Sequence, residues 1–271
     1  MKTPKIIVQK KRKIWKKWAI AIKIIPILII VAILKYLAKK YGFEVLELNA
    51  LFTSLVAGTI FLIGFLISGV LSDYKESEKI PNELAASLKT LFDDTYSVYK
   101  IKDSKAAFEF LEFQHNFLKN LMNWFFKKEK TKSILKQISA MNQFLIELDK
   151  EGIQINYIIK LRNEQANIRK IVLRIDSIRD TEFVGSAYAI VQTMGFVIIA
   201  GLILIKIEPF YASIFLTSLV TFLIWYMFIL IVDLDNPFDY KTIGETGTEI
   251  SLKPLNDLVI DLDEMMQEIK A

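Results

Sequence analysis

An uncharged segment within residues 49–73 limits what this chain can fold into more than any other feature. Residues 51–71 contain no charged side chain. A helix rises about 1.5 Å per residue, so a segment of this length crosses the roughly 30 Å hydrocarbon layer of a bilayer. The segment therefore predicts a membrane-spanning helix.

One face of that helix differs from the others. Helical spacing places small and aromatic side chains together on it: Ser54, Gly58, Phe61, Phe65, Ser68 and Ser72. Two interpretations stay open. The small residues allow a neighbouring helix to approach closely, with hydroxyls bonding across the contact. Alternatively, the hydroxyls and the two phenyl rings line a narrow conduit, in which an apolar constriction gates by expelling water.

Three more apolar segments, residues 18–34, 183–205 and 211–232, predict three further spans. Only five residues separate the last two, so these must be antiparallel neighbours. Four spans place both termini on one side of the membrane. The first seventeen residues carry eight Lys or Arg and no acid, which places that side in the cytoplasm. We expect a multi-pass protein of the plasma membrane.

The charged middle of the chain predicts a cytoplasmic helical bundle. Its predicted helices cover residues 82–99, 104–128, 131–150 and 155–179, with breaks at Pro81, Lys102-Asp103 and Glu151-Gly152. The predicted fold is all-α, with four transmembrane helices and both termini cytoplasmic. Its domains are a basic arm (1–17), transmembrane helices 1 and 2 (18–72), the bundle (73–182), transmembrane helices 3 and 4 (183–232), and a C-terminal linker and helix (233–271).

Composition argues against catalysis. The chain has no cysteine and one histidine, which excludes disulfides, thiolate sites and histidine-based triads. His115 lies among regularly spaced aromatic residues, so we assign it to packing or to the surface. The basic arm directly adjoins an apolar segment, which favours membrane orientation over nucleic-acid binding. We expect neither an enzyme nor a bound organic cofactor.

Two short motifs resemble those of a known family. Phe61-Leu62-Ile63-Gly64-Phe65 resembles the F-x-x-G-F segment in the second membrane helix of bestrophin channels, and Asn236-Pro237-Phe238 resembles the Asn-Pro-Phe that follows their last span. The order of spans, the long insertion between spans two and three, residues 64–78 and a closing helix that begins at 252–255 also agree. The closing helix is most similar to that of poorly characterised prokaryotic bestrophin-like membrane proteins.

The resemblance implies a homo-oligomer, pentameric in bestrophins, whose second membrane helices surround a central pore. Phe61 and Phe65 would then form an apolar gate, while Ser68 and Ser72 hydrate the ion. Ala57 replaces a bulky neck residue of bestrophins, which implies a wider neck or no neck. Asp73 stands where they carry a basic group, which favours cation selectivity. The partners implied are copies of this chain, the lipid bilayer and small inorganic ions.

Two other functions remain open at this stage. In a membrane-anchored interaction protein, the bundle would bind a partner while Gly58, Gly64 and Ser68 only pack helices. A transporter is less favoured, because no pair of helices shows the broken, repeated pattern usual in such folds.

Three aspartates near the Asn-Pro-Phe motif are candidate cation ligands: Asp233, Asp235 and Asp239. Calcium takes six to eight oxygen ligands, often from several carboxylates. Bestrophins activated by calcium carry an acidic run after the motif, whereas here only Asp239 follows it. A calcium site and a solvated acidic collar at the channel mouth therefore both remain open.

Overall fold

The computed structural model describes residues 18–180, 185–240 and 248–271. The basic arm and most of the predicted linker lie outside the described residues. The chain divides into two compact units. We call residues 1–74, 182–237 and 244–249 the membrane unit, and residues 75–181, 238–243 and 250–271 the bundle unit.

Helices dominate the described chain. In order, the elements are α1 (Ala19–Lys40), β1 (Leu46–Glu47), α2 (Ala50–Ser77), α3 (Ile80–Lys102), α4 (Lys105–Phe125), α5 (Thr131–Lys150), α6 (Ile155–Asp180), α7 (Gly185–Leu204), β2 (Ile205–Lys206), α8 (Phe210–Asp235) and α9 (Lys253–Lys270). Four of the helical stretches are long and apolar enough to cross a membrane. They contain α1, α2, α7 and α8, which confirms the four predicted spans.

The membrane unit is held together by aliphatic packing. α1 lies along α8 and α7, and α7 lies along α8. One buried cluster joins α2, α7 and α8: Ile63, Leu66, Val70, Val191, Ile198, Leu202, Ile224, Ile231 and Leu234. α2 is thus attached to the unit along one face only.

A short parallel pairing ties the loops of the membrane unit together. α1 continues to Lys40, and β1 follows it before α2 begins. Leu46 pairs with Ile205, and Glu47 pairs with Lys206. Two-residue strands are too short to leave a periodic pattern in the sequence, so they could not be predicted.

Lys35 is buried at this end of the membrane unit, with no exposed surface. Its ammonium lies 2.8 Å from the Glu44 carboxylate and donates to the carbonyls of Ile203, at 3.2 Å, and of Ile205. A buried charge is tolerated only when it is paired and hydrogen-bonded. These three oxygens therefore make Lys35 a link between α1, the following loop and the end of α7.

The bundle unit is a four-helix bundle with one added helix. α3 packs against α4 and α6, and α5 packs against the same two helices. Large aromatic side chains fill its core, among them Phe92, Phe110, Phe117, Trp124 and Phe125, each at most 1 % exposed. The Ser104 hydroxyl caps α4 by accepting from the amide of Ala107.

α9 covers the side of the bundle formed by α3 and α4. Its apolar stripe of Leu255, Leu258, Leu262 and Met266 is buried, as the helical spacing predicts. Asp263 on α9 pairs with His115 and with Lys119, whose ammonium lies 2.8 Å away. His115 therefore also helps to fix α9 on α4.

Candidate pore-lining face

The two phenylalanines of the F-x-x-G-F segment point away from the rest of the chain. Phe61 is 78 % exposed and Phe65 is 71 % exposed, although both lie in the middle of α2. The cause is the pattern of the helix, since Ile63, Leu66 and Val70 turn the opposite face into the buried cluster. Both rings are therefore available to lipid or to another chain.

The small residues predicted to share this face are exposed with the rings. Ser54, Ala57, Gly58, Gly64, Ser68 and Ser72 are all exposed. A Cβ atom added at Gly58 or Gly64 would meet nothing within 4 Å. Among the described residues, these two glycines therefore make no close helix contact.

The hydroxyls on this face differ in their bonding. Ser54 donates to the carbonyl of Ala50 at 2.8 Å. In the described part of the chain, Ser68 and Ser72 form no such bond, and both side chains are exposed. Their hydroxyls can therefore bind water, an ion or a neighbouring chain.

Close packing inside the membrane unit uses glycines of α7, which the sequence analysis did not single out. A Cβ atom at Gly195 would lie 3.0 Å from Cγ2 of Ile224, and one at Gly201 would collide with the ring of Phe52. The ring of Phe52 thus rests on the backbone of α7. This contact fixes the beginning of α2 and so the direction in which its exposed face points.

Asp73 is exposed on α2, directly after Ser72. Three residues later, Glu76 is bound by the guanidinium of Arg174 on α6. The described structure gives Asp73 no ion pair, so its negative charge acts on the solvent beside the helix.

The three aspartates near the Asn-Pro-Phe motif are not grouped as metal ligands in the described part of the chain. Among the described residues, no group of three or more His, Cys, Asp or Glu side chains is placed to hold a metal ion. Asp239 instead accepts from the ammonium of Lys127 at 2.9 Å. A cation role for Asp233, Asp235 and Asp239 stays a prediction.

The Asn-Pro-Phe motif has a structural role. α8 ends at Asp235, directly before Asn236, as expected because the residue before a proline disfavours helix. Phe238 is fully buried, and its ring lies 6.4 Å from that of Phe125 in the bundle unit. The motif thus ends the last membrane helix and anchors the following chain in the bundle core.

Comparison with known proteins identifies the fold. No protein-family model matches the sequence, and no curated protein matches it. Solved structures do match. Two single-substitution variants of a bacterial bestrophin homologue from Klebsiella pneumoniae align with TM-scores of 0.73 and 0.71, at 14 % and 16 % identity. They cover 90 % of this chain and 98 % and 99 % of their own.

A third structure, described as a membrane protein, aligns with a TM-score of 0.74 at 14 % identity, over 90 % of this chain and 98 % of its own. These matches span both units rather than one motif. They confirm the architecture that the two short motifs implied. The chain is a membrane protein with the bestrophin-like fold.

Proposed function

We propose that copies of this chain assemble into an ion channel whose pore is lined by the exposed face of α2. One observation carries this proposal: the same face bears two exposed phenyl rings and two hydroxyls that form no hydrogen bond within the described residues. Lipid accepts phenyl rings readily, but unpaired hydroxyls favour a watery or protein environment. The bestrophin-like fold supports the same assignment.

Each residue on the face has a proposed role. Phe61 and Phe65 form an apolar constriction that controls passage by excluding water. Ser68 and Ser72 replace part of the hydration shell of an ion beside it. Ala57 widens the neck one helical turn before Phe61. Asp73 raises the local concentration of cations and so biases selectivity towards them.

The proposed assembly is a pentamer in the plasma membrane, with both termini in the cytoplasm. The number of copies follows from the resemblance to bestrophins, and the orientation follows from the basic arm. Whatever the number, a central pore requires a closed ring in which each copy presents the same helix to the axis.

The test is ion flux through purified protein in lipid vesicles. Replacing both rings, Phe61→Ala with Phe65→Ala, removes the apolar constriction and should raise flux above that of the unchanged protein. Phe215→Ala is the matched control, because this ring is 65 % exposed but lies on α8. It should leave flux unchanged.

Two results would contradict the proposal. Unchanged flux in the double variant, with assembly intact, would mean that the rings only pack against a neighbour or against lipid. A monomer or dimer without conductance would instead favour the membrane-anchored interaction protein.

A further inference from the structure

A basic groove runs along the outside of the bundle unit between α5 and α6. Its volume is about 450 Å³, and it is lined by Arg162, Arg169 and Lys170 together with the apolar Ala166 and Leu173. Arg169 donates to the Ser139 hydroxyl at 3.1 Å. Arg162 and Lys170 are exposed and form no ion pair within the described residues. The groove therefore presents the unpaired cations of Arg162 and Lys170 beside an apolar floor formed by Ala166 and Leu173.

The exposed side of α9 has the opposite charge. Its carboxylates are Asp257, Asp261, Glu264 and Glu268, all exposed, and Ile260 among them is 43 % exposed. Only Asp261 is paired in the described structure, with Lys89 at 3.2 Å. The other three acids have no cationic partner there.

The two surfaces match in spacing. Along α6, Arg162, Ala166, Arg169 and Leu173 follow one another at intervals of four, three and four residues. The four acids of α9 follow at the same intervals. At about 1.5 Å per residue each row is roughly 16 Å long. Arg162 and Arg169 lie seven residues apart, as do Asp257 and Glu264, so a helix bearing these acids can set two carboxylates beside the two guanidinium groups.

The surfaces cannot meet within one chain. α9 packs on α3 and α4, whereas the groove belongs to α5 and α6. α3 contacts α4 and α6, and α5 contacts the same two helices. The α3–α4 pair and the α5–α6 pair therefore form opposite sides of the bundle. Within one chain, the groove and the acidic row are therefore not each other's partner.

We infer that the groove of one copy receives α9 of the next copy. Two different, complementary surfaces on opposite sides make a head-to-tail contact, which closes into a ring when the rotation between copies allows it. This inference rests on the proposed channel, and it adds the place where the copies touch. A small anion bound in the groove would leave the matching acidic row without a partner, so a second copy is favoured.

The exposed position of the charges fits such a role. Ion pairs at a wet surface contribute little affinity each, but complementary charge selects the partner and its register. The contact between Ile260 and the floor at Ala166 then excludes water at the centre. We expect assembly of the bundle units to weaken at high salt.

Disulfide cross-linking tests the inference directly, because the chain contains no cysteine of its own. Ala166→Cys combined with Ile260→Cys should give, on mild oxidation in membranes, a ladder of linked copies up to the full ring. Either cysteine alone should give no linked species. A dimer from a single cysteine would reveal a two-fold contact and overturn the inference.

Charge reversal in the double-cysteine background supplies the second arm. Arg162→Glu with Arg169→Glu should abolish most of the ladder, and adding Asp257→Lys with Glu264→Lys, which have the same seven-residue spacing, should restore it. Lys100→Glu with Lys102→Glu changes net charge equally, but these two lysines lie on α3 outside the groove. This control should leave the ladder intact.

Mass and flux measured on the same samples separate the two proposals. A ring-sized protein that conducts ions but gives no ladder overturns the inference and leaves the channel standing. A ladder without conductance supports the inference and contradicts the channel.

Discussion

Removing Glu44 should destabilise the membrane unit strongly, because it leaves the Lys35 ammonium buried. Lys35 has no exposed surface, and its carboxylate partner lies 2.8 Å away. Breaking a buried ion pair from one side costs about 3–5 kcal/mol. For a chain of this size that corresponds to a fall in Tm of roughly 6–20 °C. Glu44→Leu should therefore lower Tm by an amount in this range.

Two companion variants separate a buried charge from simple loss of packing. Lys35→Met removes the ammonium and its bonds to two carbonyls, and the remaining Glu44 side chain, 11 % exposed, can turn towards water. Its cost should be smaller, about 1.5–3 kcal/mol for hydrogen bonds to a charged group. Combining Lys35→Met with Glu44→Leu should recover much of the loss seen in Glu44→Leu, since no buried charge remains.

Thermal unfolding in detergent, followed by tryptophan fluorescence, measures these differences. Lys40→Met is the control, because this lysine is exposed at the end of the same helix. If Glu44→Leu unfolds at the same temperature as Lys40→Met, the buried pair does not stabilise the unit as argued.

Two further predictions concern packing and pH. Gly201→Ala should destabilise the membrane unit by about 1–3 kcal/mol through overpacking against the ring of Phe52. Adding Phe52→Leu to this variant should recover part of the lost stability. Equal Tm values for the unchanged protein, the single variant and the double variant would refute the contact. In the bundle unit, burial raises the pKa of Asp263, but hydrogen bonds from Lys119 and His115 outweigh it and hold the pKa below its ordinary value. This stabilisation is present above the unfolded-state pKa of about 3.9, and it is lost as pH falls through the lower folded-state pKa. Asp263→Asn should therefore be less stable than the unchanged protein at neutral pH. The difference in Tm between the two proteins should close below about pH 4. A gap that stays constant with pH would contradict the ion pair.

Local patterns were sufficient to predict most of the helices. The prediction of 131–150 for α5 coincides with Thr131–Lys150, and Ser104 caps α4 where the second predicted helix begins. Long apolar segments identified all four spans, because a bilayer tolerates few alternatives. Pro81 was expected to break a helix, but it lies in the first turn of α3, where its missing N–H costs nothing.

Features that depend on distant parts of the chain were not predictable. The burial of Lys35 could not be predicted, because two of its three partners, the carbonyls of Ile203 and Ile205, lie more than 160 residues away in the chain. Gly201 is informative only once Phe52 is known to lie on it. Lys127, which binds Asp239, lies 112 residues away in the chain and could not be found from the pattern around the aspartates.

The candidate face of α2 could be predicted only in part. Helical periodicity placed Phe61, Phe65 and Ser68 on one side, and that side is exposed. Periodicity shows which side chains share a face, but it does not show what covers that face in the assembled protein. What covers the face depends on the membrane and on any neighbouring copies of the chain.

A structure of the assembled protein in a lipid bilayer tests the central claim most directly. The account predicts a closed ring with α2 innermost and with the rings of Phe61 and Phe65 from every copy facing a common axis. Rings that face lipid, or a different helix lining the axis, would contradict it.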